Sequence, residues 1–281
     1  MKTKISALAL IRCLIFGAVF SLCFTACFDW SEPNVIFINS LKDAEEKLAV
    51  HTFNGAKPED PVQLIVRKMN IGDMSQPDND YLRLIEIIGN SGLYAELSLG
   101  EAIMGGKTVF TSPPLNEAVK GMEKIVVIDL PYIATSIKTD KNGRSPFFFY
   151  ENLKRVSGGD TKITEIGDNA FSFCKSLEQV NLYDVKTVGR EAFQGCENLK
   201  RVTLTLSETI GDRAFLNCES LLQVSMYRKP PTLGDSVFLG NTPSTFTLSI
   251  EKAHEVLYRS WLNENALKFN NYGVGIAFKL N

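Results

Sequence analysis

Two histidines, His51 and His254, occur in the chain, and catalysis through an imidazole would have to use one of them. A Ser/His/Asp or Cys/His arrangement places the imidazole beside a nucleophile, and neither histidine stands in a group at such a spacing. A carboxylate pair for glycoside hydrolysis stays open, because the sequence does not give the separation of acidic residues in space. No such pair is marked out, so we expect the chain not to be an enzyme and to use no cofactor.

Two further features contain residue types that bind cations or phosphates. Residues 73–80 (DMSQPDND) offer carboxylate oxygens to calcium, but they lack the glycine and the closing glutamate of an EF-hand loop. The pairs Gly105-Gly106 and Gly158-Gly159 lack the strand, loop and helix pattern of a phosphate-binding loop. The sequence therefore predicts a solvated loop and two turns.

Three cysteines, Cys174, Cys196 and Cys218, follow one another at intervals of 22 residues. An odd number of cysteines at a fixed period is typical of one repeated core position rather than of a disulfide framework. A three-thiolate metal site is the alternative, but structural zinc usually takes four ligands from closely spaced pairs, and no histidine lies nearby. We predict three buried thiols and no metal site.

The same period includes other residue types, in three units that begin at Ile163, Val185 and Ser207. Looser copies on both sides extend the repeats over residues 122–250. In each unit a Leu-x-x-Val-x-Leu segment, with Met226 in place of the last leucine in the third unit, alternates like a strand with one buried face. A Gly-x-x-Ala-Phe-x-x-Cys segment spaces apolar residues as a single tight helical turn would, and its glycine permits a tight reversal or a close approach. One unit cannot cover its own apolar side chains, so the units must stack.

The motif I-x-x-I-G-x-x-A-F-x-x-C-x-x-L-x-x-V-x-L, in three consecutive copies, resembles the BspA-like (treponemal-type) leucine-rich-repeat family of lipoproteins and surface proteins. The expected fold class is α/β. It is a right-handed leucine-rich-repeat solenoid with a parallel β-sheet on one face, flanked by α/β caps at both ends. The resemblance implies a protein that works by binding another protein.

The N-terminal segment has the pattern of an export signal. Residues 1–26 contain three basic residues and a short apolar run, Leu14–Phe24, which is too short to span a bilayer. The sequence Phe24-Thr25-Ala26-Cys27 resembles a bacterial lipobox, which implies that Cys27 is acylated and becomes the mature N-terminus. The alternative is ordinary cleavage, with Cys27 an unmodified residue.

The charge balance argues against polyanionic partners. Without residues 1–26 the chain keeps 27 basic and 32 acidic residues, a net charge of −5, and no block of lysine and arginine occurs. Nucleic acids and anionic membrane surfaces both need clustered positive charge on the protein. We therefore expect no nucleic-acid partner and membrane attachment through the N-terminal lipid only.

The regions on either side of the repeats are predicted to be caps. Residues 27–34 form a tether, residues 35–121 an N-terminal α/β cap, and residues 251–281 a C-terminal cap. Strands that alternate with helices would lengthen the parallel sheet and cover its edge. The predicted elements are a helix from Ser40 to Val50, a strand at 61–71, a helix at 81–88, a strand at 94–99, a helix at 251–266 and a strand at 274–280.

The candidate binding residues are the outward positions of the repeat strands. If Leu177, Val180 and Leu182 point inward, the alternate residues form columns on the face of the sheet that we expect to be concave. Tyrosine and arginine dominate interface energies, and small polar residues supply adaptable hydrogen bonds. The alternative is a polar surface without a ligand. The predicted partner-binding residues are Gln179, Asn181, Tyr183, Arg201, Thr203, Thr205, Gln223, Ser225 and Tyr227.

Two functions fit these features of the sequence. The first is an exported, monomeric, lipid-anchored leucine-rich-repeat protein of the outer membrane that mediates adhesion by binding a host or partner-cell protein. The alternative is a lipoprotein that faces the periplasm and serves envelope structure or assembly with an endogenous partner.

Overall fold

Two parallel β-sheets and three α-helices make up the part of the chain that a computed structural model describes, which is residues 35–50, 57–241, 246–269 and 276–280. The predicted signal peptide, Cys27, the tether and His51 lie outside these residues. No helix in the described ranges is both long and apolar enough to cross a membrane.

The N-terminal region alternates strands and helices. The predicted start of the first helix is confirmed, because Ser40 Oγ accepts a hydrogen bond from the Asp43 amide at 3.1 Å. The second helix is capped at its start by Asn79 and at its end by Gly92, which has φ of 75°. The elements are β1 (Val35–Ile38), α1 (Leu41–Val50), β2 (Val62–Asn70), α2 (Asp80–Ser91), β3 (Ala95–Ile103) and β4 (Val109–Phe110).

Five coils follow, and each contributes one strand to each of the two sheets. The longer strands lie at the Leu-x-x-Val-x-Leu position of each coil, and each two-residue strand ends one residue before the glycine position. The pairs, in chain order, are β5 (Ile125–Asp129) and β6 (Ser136–Ile137), β7 (Arg155–Ser157) and β8 (Glu165–Ile166), β9 (Gln179–Asn181) and β10 (Thr187–Val188), β11 (Arg201–Thr203) and β12 (Thr209–Ile210), and β13 (Gln223–Ser225) and β14 (Thr232–Leu233).

The C-terminal region contains β15 (Phe246–Ile250), α3 (Glu255–Glu264) and β16 (Ile276–Leu280). Short 3₁₀ turns at Lys252–His254 and Ala266–Phe269 flank α3. The helix predicted over residues 251–266 is therefore shorter than expected, and both of its ends are 3₁₀ turns. Trp261 holds α3 against the last coil, because its indole N–H donates to the Pro231 carbonyl at 2.7 Å.

In the described residues, one sheet has ten parallel strands in the order β1, β2, β3, β5, β7, β9, β11, β13, β15, β16. The other has six, in the order β14, β12, β10, β8, β6, β4. The core lies between the two sheets. The inward positions Leu177, Val180 and Leu182 are buried as predicted. The N-terminal strands extend the same sheet as the repeats, and the whole arrangement is that of a leucine-rich-repeat solenoid.

A column of stacked phenylalanine rings runs through the core. Successive ring centroids are 4.8–5.5 Å apart, close to the spacing of about 4.8 Å between neighbouring strands. Each coil thus adds one ring to the column, which explains why the phenylalanine position repeats. The stacked rings are those of Phe110, Phe147, Phe171, Phe193, Phe215, Phe238 and Phe269.

The segment from the glycine to the cysteine differs from the predicted tight helical turn. Some amides do bond three residues back, as that of Ser172 does to Asn169 at 3.0 Å. The amides of Phe171 and Phe173, however, donate to the next coil at 2.7 Å. The left-handed φ of 55° at Asn169 and of 59° at Phe173 reorients the peptide planes between turns. The prediction was therefore wrong in part, because half of these hydrogen bonds join neighbouring coils.

The repeated glycine makes the close approach that its position predicts. A Cβ atom at Gly189 would lie 2.5 Å from the Asp168 amide nitrogen of the preceding coil. At Gly211 it would lie 2.8 Å from the Arg190 amide nitrogen. Any larger residue would push successive coils apart, so the glycine is required by packing between coils.

Candidate protein-binding face

The candidate site is the outer face, by which we mean the side of the ten-stranded sheet that points away from the core. Strand register aligns Arg201 with Gln179 on one side and with Gln223 on the other. Thr203 is aligned in the same way with Asn181 and Ser225. The structure thus brings the predicted columns together, whereas their role in binding stays a prediction.

The predicted residues differ in how far they reach into solvent. Tyr183 is half exposed, at 50%, and Arg201 is also exposed. Ser225 is an exception to the predicted exposed strip, because only 5% of it is accessible. Its short side chain lies beneath Gln223, whose amide donates to Ser225 Oγ at 3.1 Å. The partly buried members are Gln179, Asn181, Thr203, Thr205, Gln223 and Tyr227.

Hydrogen bonds between the polar members hold the middle of the face in place. Asn181 Oδ1 accepts from the Gln179 amide at 3.1 Å and from the Thr203 hydroxyl at 3.3 Å. The Thr205 hydroxyl donates to the backbone carbonyl of Tyr183. These side chains satisfy one another, so a partner would gain most from the projecting Tyr183 and Arg201.

Two ion pairs, one within the ten-stranded sheet and one just before its strands β9 and β11, were not foreseen from the sequence. Lys200 Nζ lies 2.7 Å from Glu178 Oε2 in the coil before it. Arg155 lies 3.6 Å from Glu96 Oε1, two strands away. The strand between them contributes Val127, whose side chain points outward but is only 4% exposed. The segment FFFYENLKRV could have indicated Arg155, because it puts this residue in the repeat position of Arg201.

The repeated cysteines are buried, as predicted. The Cys196 thiol donates to the Phe171 carbonyl at 3.0 Å, and the Cys218 thiol donates to the Phe193 carbonyl at 3.1 Å. Burial raises the pKa of the Cys174 thiol to about 12, despite a contact with the Ser145 hydroxyl that lowers it. Within the described ranges, no group of three or more His, Cys, Asp or Glu side chains could hold a metal ion.

The acidic loop at 73–80 uses its carboxylates within the protein. Asp73 accepts from both the amide and the hydroxyl of Ser75, at 3.0 and 2.7 Å. Asp78 and Asp80 both pair with Arg83. Of the two histidines, His254 lies in the described residues, and its Nδ1 atom is 3.6 Å from Glu251 Oε2 in the C-terminal region. These contacts stabilise the loop and the cap locally.

The predicted glycine turns are present. Gly105 and Gly106 form a turn with φ of 55° and 78°, and Gly159 lies in a turn with φ of 23°. Positive φ values favour glycine because it has no Cβ atom. The glycine pairs are therefore explained by backbone conformation.

Comparison with known proteins assigns the repeats. An alignment with the crystal structure of a leucine-rich repeat protein from Bacteroides ovatus has 16% identity and a TM-score of 0.36, and covers 67% of this chain and 64% of that one. No match was found among curated proteins. The family model for the BspA type leucine rich repeat region matches residues 124–267 in six copies. Leucine-rich repeats generally mediate protein interactions and are typically non-enzymatic. The chain belongs to the BspA-type leucine-rich-repeat family.

Proposed function

We propose that the chain is an exported, lipid-anchored protein whose outer face binds a protein of a host or partner cell. The observation that carries this proposal is the exposure of Arg201, at the start of β11, and of Tyr183, in the turn that follows the neighbouring strand β9. Aromatic and arginine side chains at the centre of an interface supply most of its binding energy. A polar surface without a partner has no need of either residue at these positions.

The construction of the outer face supports recognition of a macromolecule. Ten strands spaced by about 4.8 Å form a face about 43 Å long. Stable protein interfaces bury about 800 Å² on each partner, which a face of this length can provide. Hydrogen bonds such as that of Gln179 to Asn181 already order its polar side chains. Binding therefore costs less conformational entropy than it would on a mobile surface.

The binding test compares a double variant of the face with a matched control. Replacing Tyr183 and Arg201 by alanine should weaken binding of a partner captured by crosslinking on intact cells by at least about tenfold. Each substitution should change the free energy of unfolding by less than about 1 kcal/mol, because both side chains are exposed.

The control is Phe173→Ala with Arg190→Ala, which removes an exposed aromatic and an exposed cation away from the outer face. We expect the control variant to bind as the wild type does. Unchanged affinity of the Tyr183/Arg201 variant, measured by biolayer interferometry, would mean that the repeats form a scaffold and that recognition lies elsewhere.

The lipid anchor is the second part of the proposal, and it is supported by the sequence Phe24-Thr25-Ala26-Cys27. Several acyl chains, at about 0.8 kcal/mol for each buried methylene, would hold the protein firmly in a membrane. Metabolic labelling with a radioactive fatty acid should mark the wild type and leave Cys27→Ser unlabelled. Label that persists in the variant would exclude acylation of Cys27. Protease treatment of intact cells then separates a surface position from a periplasmic one.

A further inference from the structure

Two adjoining cavities lie at the carboxyl end of the outer face, where β11, β13 and β15 end. One has a volume of about 810 Å³ and the other of about 680 Å³. Tyr227 and Glu251 line both of them. Gln223 and Tyr227 also belong to the predicted columns, so the two cavities continue the outer face. We call them together the terminal cleft.

The terminal cleft concentrates positive charge. Five cations and two carboxylates line it, although the whole chain has a net charge of −2. One of the cations lies 3.8 Å from Glu208, and the carboxylate of Glu251 lies beside His254. The other four cations have no ion pair with any described residue. The five cations are Lys186, Arg228, Lys229, Lys252 and Lys279.

Unpaired cations around a concave surface attract an anionic group more strongly than the same cations on a flat surface. Leu206, Pro230 and the Tyr227 ring add apolar wall to the larger cavity. An occupant must therefore carry acidic groups on a framework that is itself partly apolar. A polypeptide with glutamate or aspartate side chains has both properties.

We propose that the terminal cleft binds an acidic segment of the protein partner. This inference rests on the proposed function, because the cleft is continuous with the outer face through Gln223 and Tyr227. Side-chain carboxylates of the segment accept hydrogen bonds from Arg228, Lys229 and Lys252, and the methylene stems pack on Tyr227. The segment presents neutral or donor groups to Glu208 and Glu251.

The two carboxylates of the cleft favour a peptide over a uniform polyanion. A nucleic acid or an anionic membrane carries negative charge at every repeat and would meet Glu208 and Glu251 with like charge. Both carboxylates are exposed, with side-chain accessibilities of 68% and 52%. A peptide varies its side chains along the chain, so it avoids this repulsion.

The probe is a short fluorescein-labelled peptide of alternating glutamate and glycine, with a glutamine-glycine peptide as the uncharged reference. Fluorescence anisotropy should show binding of the glutamate peptide that weakens as salt is added. Arg228→Glu with Lys252→Glu should weaken it by at least about tenfold. Lys42→Glu with Lys141→Glu gives the same change in net charge at exposed positions outside the cleft, and should leave the affinity within about twofold.

Equal weakening in both double variants would overturn the proposal, since net charge alone would then explain binding. So would failure of the glutamate peptide to bind. Binding of a sulfated oligosaccharide or of vesicles containing phosphatidylserine, without binding of the peptide, would assign the cleft to a different ligand. The Arg228→Ala, Lys252→Ala variant repeats the test without charge reversal. It therefore separates loss of the binding cations from misfolding caused by the reversed charges.

The two proposals fail in distinguishable ways. Tyr183→Ala with Arg201→Ala lies outside the cleft and should leave binding of the glutamate peptide unchanged. If a captured partner is lost with this variant but not with the cleft variant, the outer face binds protein and the cleft does not contribute. If the peptide binds through the cleft while no partner depends on Tyr183 and Arg201, the proposed function fails.

Discussion

At the scale of single residues, each repeated position serves the packing of one coil against the next. The Cys196 thiol fills a buried space and donates to the Phe171 carbonyl of the coil before it. The preceding coil has a related contact, between Cys174 Sγ and the Ser145 hydroxyl at 3.6 Å. Burial raises the pKa of all three thiols, because the interior disfavours the thiolate. The cysteine position therefore contributes packing and a hydrogen bond, while its thiol is kept unreactive.

Replacing Cys196 by alanine should lower the free energy of unfolding by about 1–2 kcal/mol, through lost packing and a lost donor. Urea denaturation measures this change, and the slope with urea concentration should stay the same. In the wild type the thiol should react with a disulfide reagent only after unfolding. Stoichiometric zinc in the purified protein would contradict the assignment of these cysteines to the core.

At the scale of elements, the sequence predicted the structure wherever a pattern recurred at a fixed interval. Leu177, Val180 and Leu182 indicated a strand with one buried face, and α1 begins where Ser40 indicated. The six-stranded sheet was missed, because strands of two residues such as Thr187–Val188 are too short to give a periodic signal. The bonds of Phe171 and Phe173 to the next coil depend on left-handed residues that no composition rule indicates.

In the candidate site, too, some features could be predicted from the sequence and others could not. Register between β9, β11 and β13 follows from the 22-residue period, so the columns could be predicted. The exposure of each side chain could not be predicted, because it depends on which neighbour covers that side chain, as Gln223 covers Ser225. The ion pair of Arg155 with Glu96 joins β7 to β3, the two strands that lie on either side of β5. Sequence distance gives no indication of such a contact.

At the scale of the whole molecule, the phenylalanine column and the two sheets make each coil depend on its neighbours. Repeat arrays are stabilised mainly by contacts between adjacent units, so an uncovered end frays first. At the N-terminal side Tyr81 on α2 packs edge-on against Phe110, the first ring of the column, at 6.1 Å, and its hydroxyl is 2.7 Å from that of Tyr150 in the first coil. At the C-terminal side Phe269 stacks on Phe238 at 4.8 Å, and Trp261 packs edge-on against Phe269. Both ends of the column are thus covered by residues of the flanking regions.

Trp261 should therefore control the stability of the last coils. Trp261→Ala removes the ring contact with Phe269 and leaves the Pro231 carbonyl without its donor, so we expect a loss of about 3–5 kcal/mol. Trp261→Phe is the matched control, because it keeps an aromatic ring and loses the hydrogen bond, for about 1–2 kcal/mol. Native-state hydrogen exchange should show reduced protection in β13, β15 and β16 of the alanine variant. The coils around β7 and β9 should keep most of their protection, because their neighbours are intact. An equal loss of protection in every strand would show instead that the described solenoid unfolds as one cooperative unit.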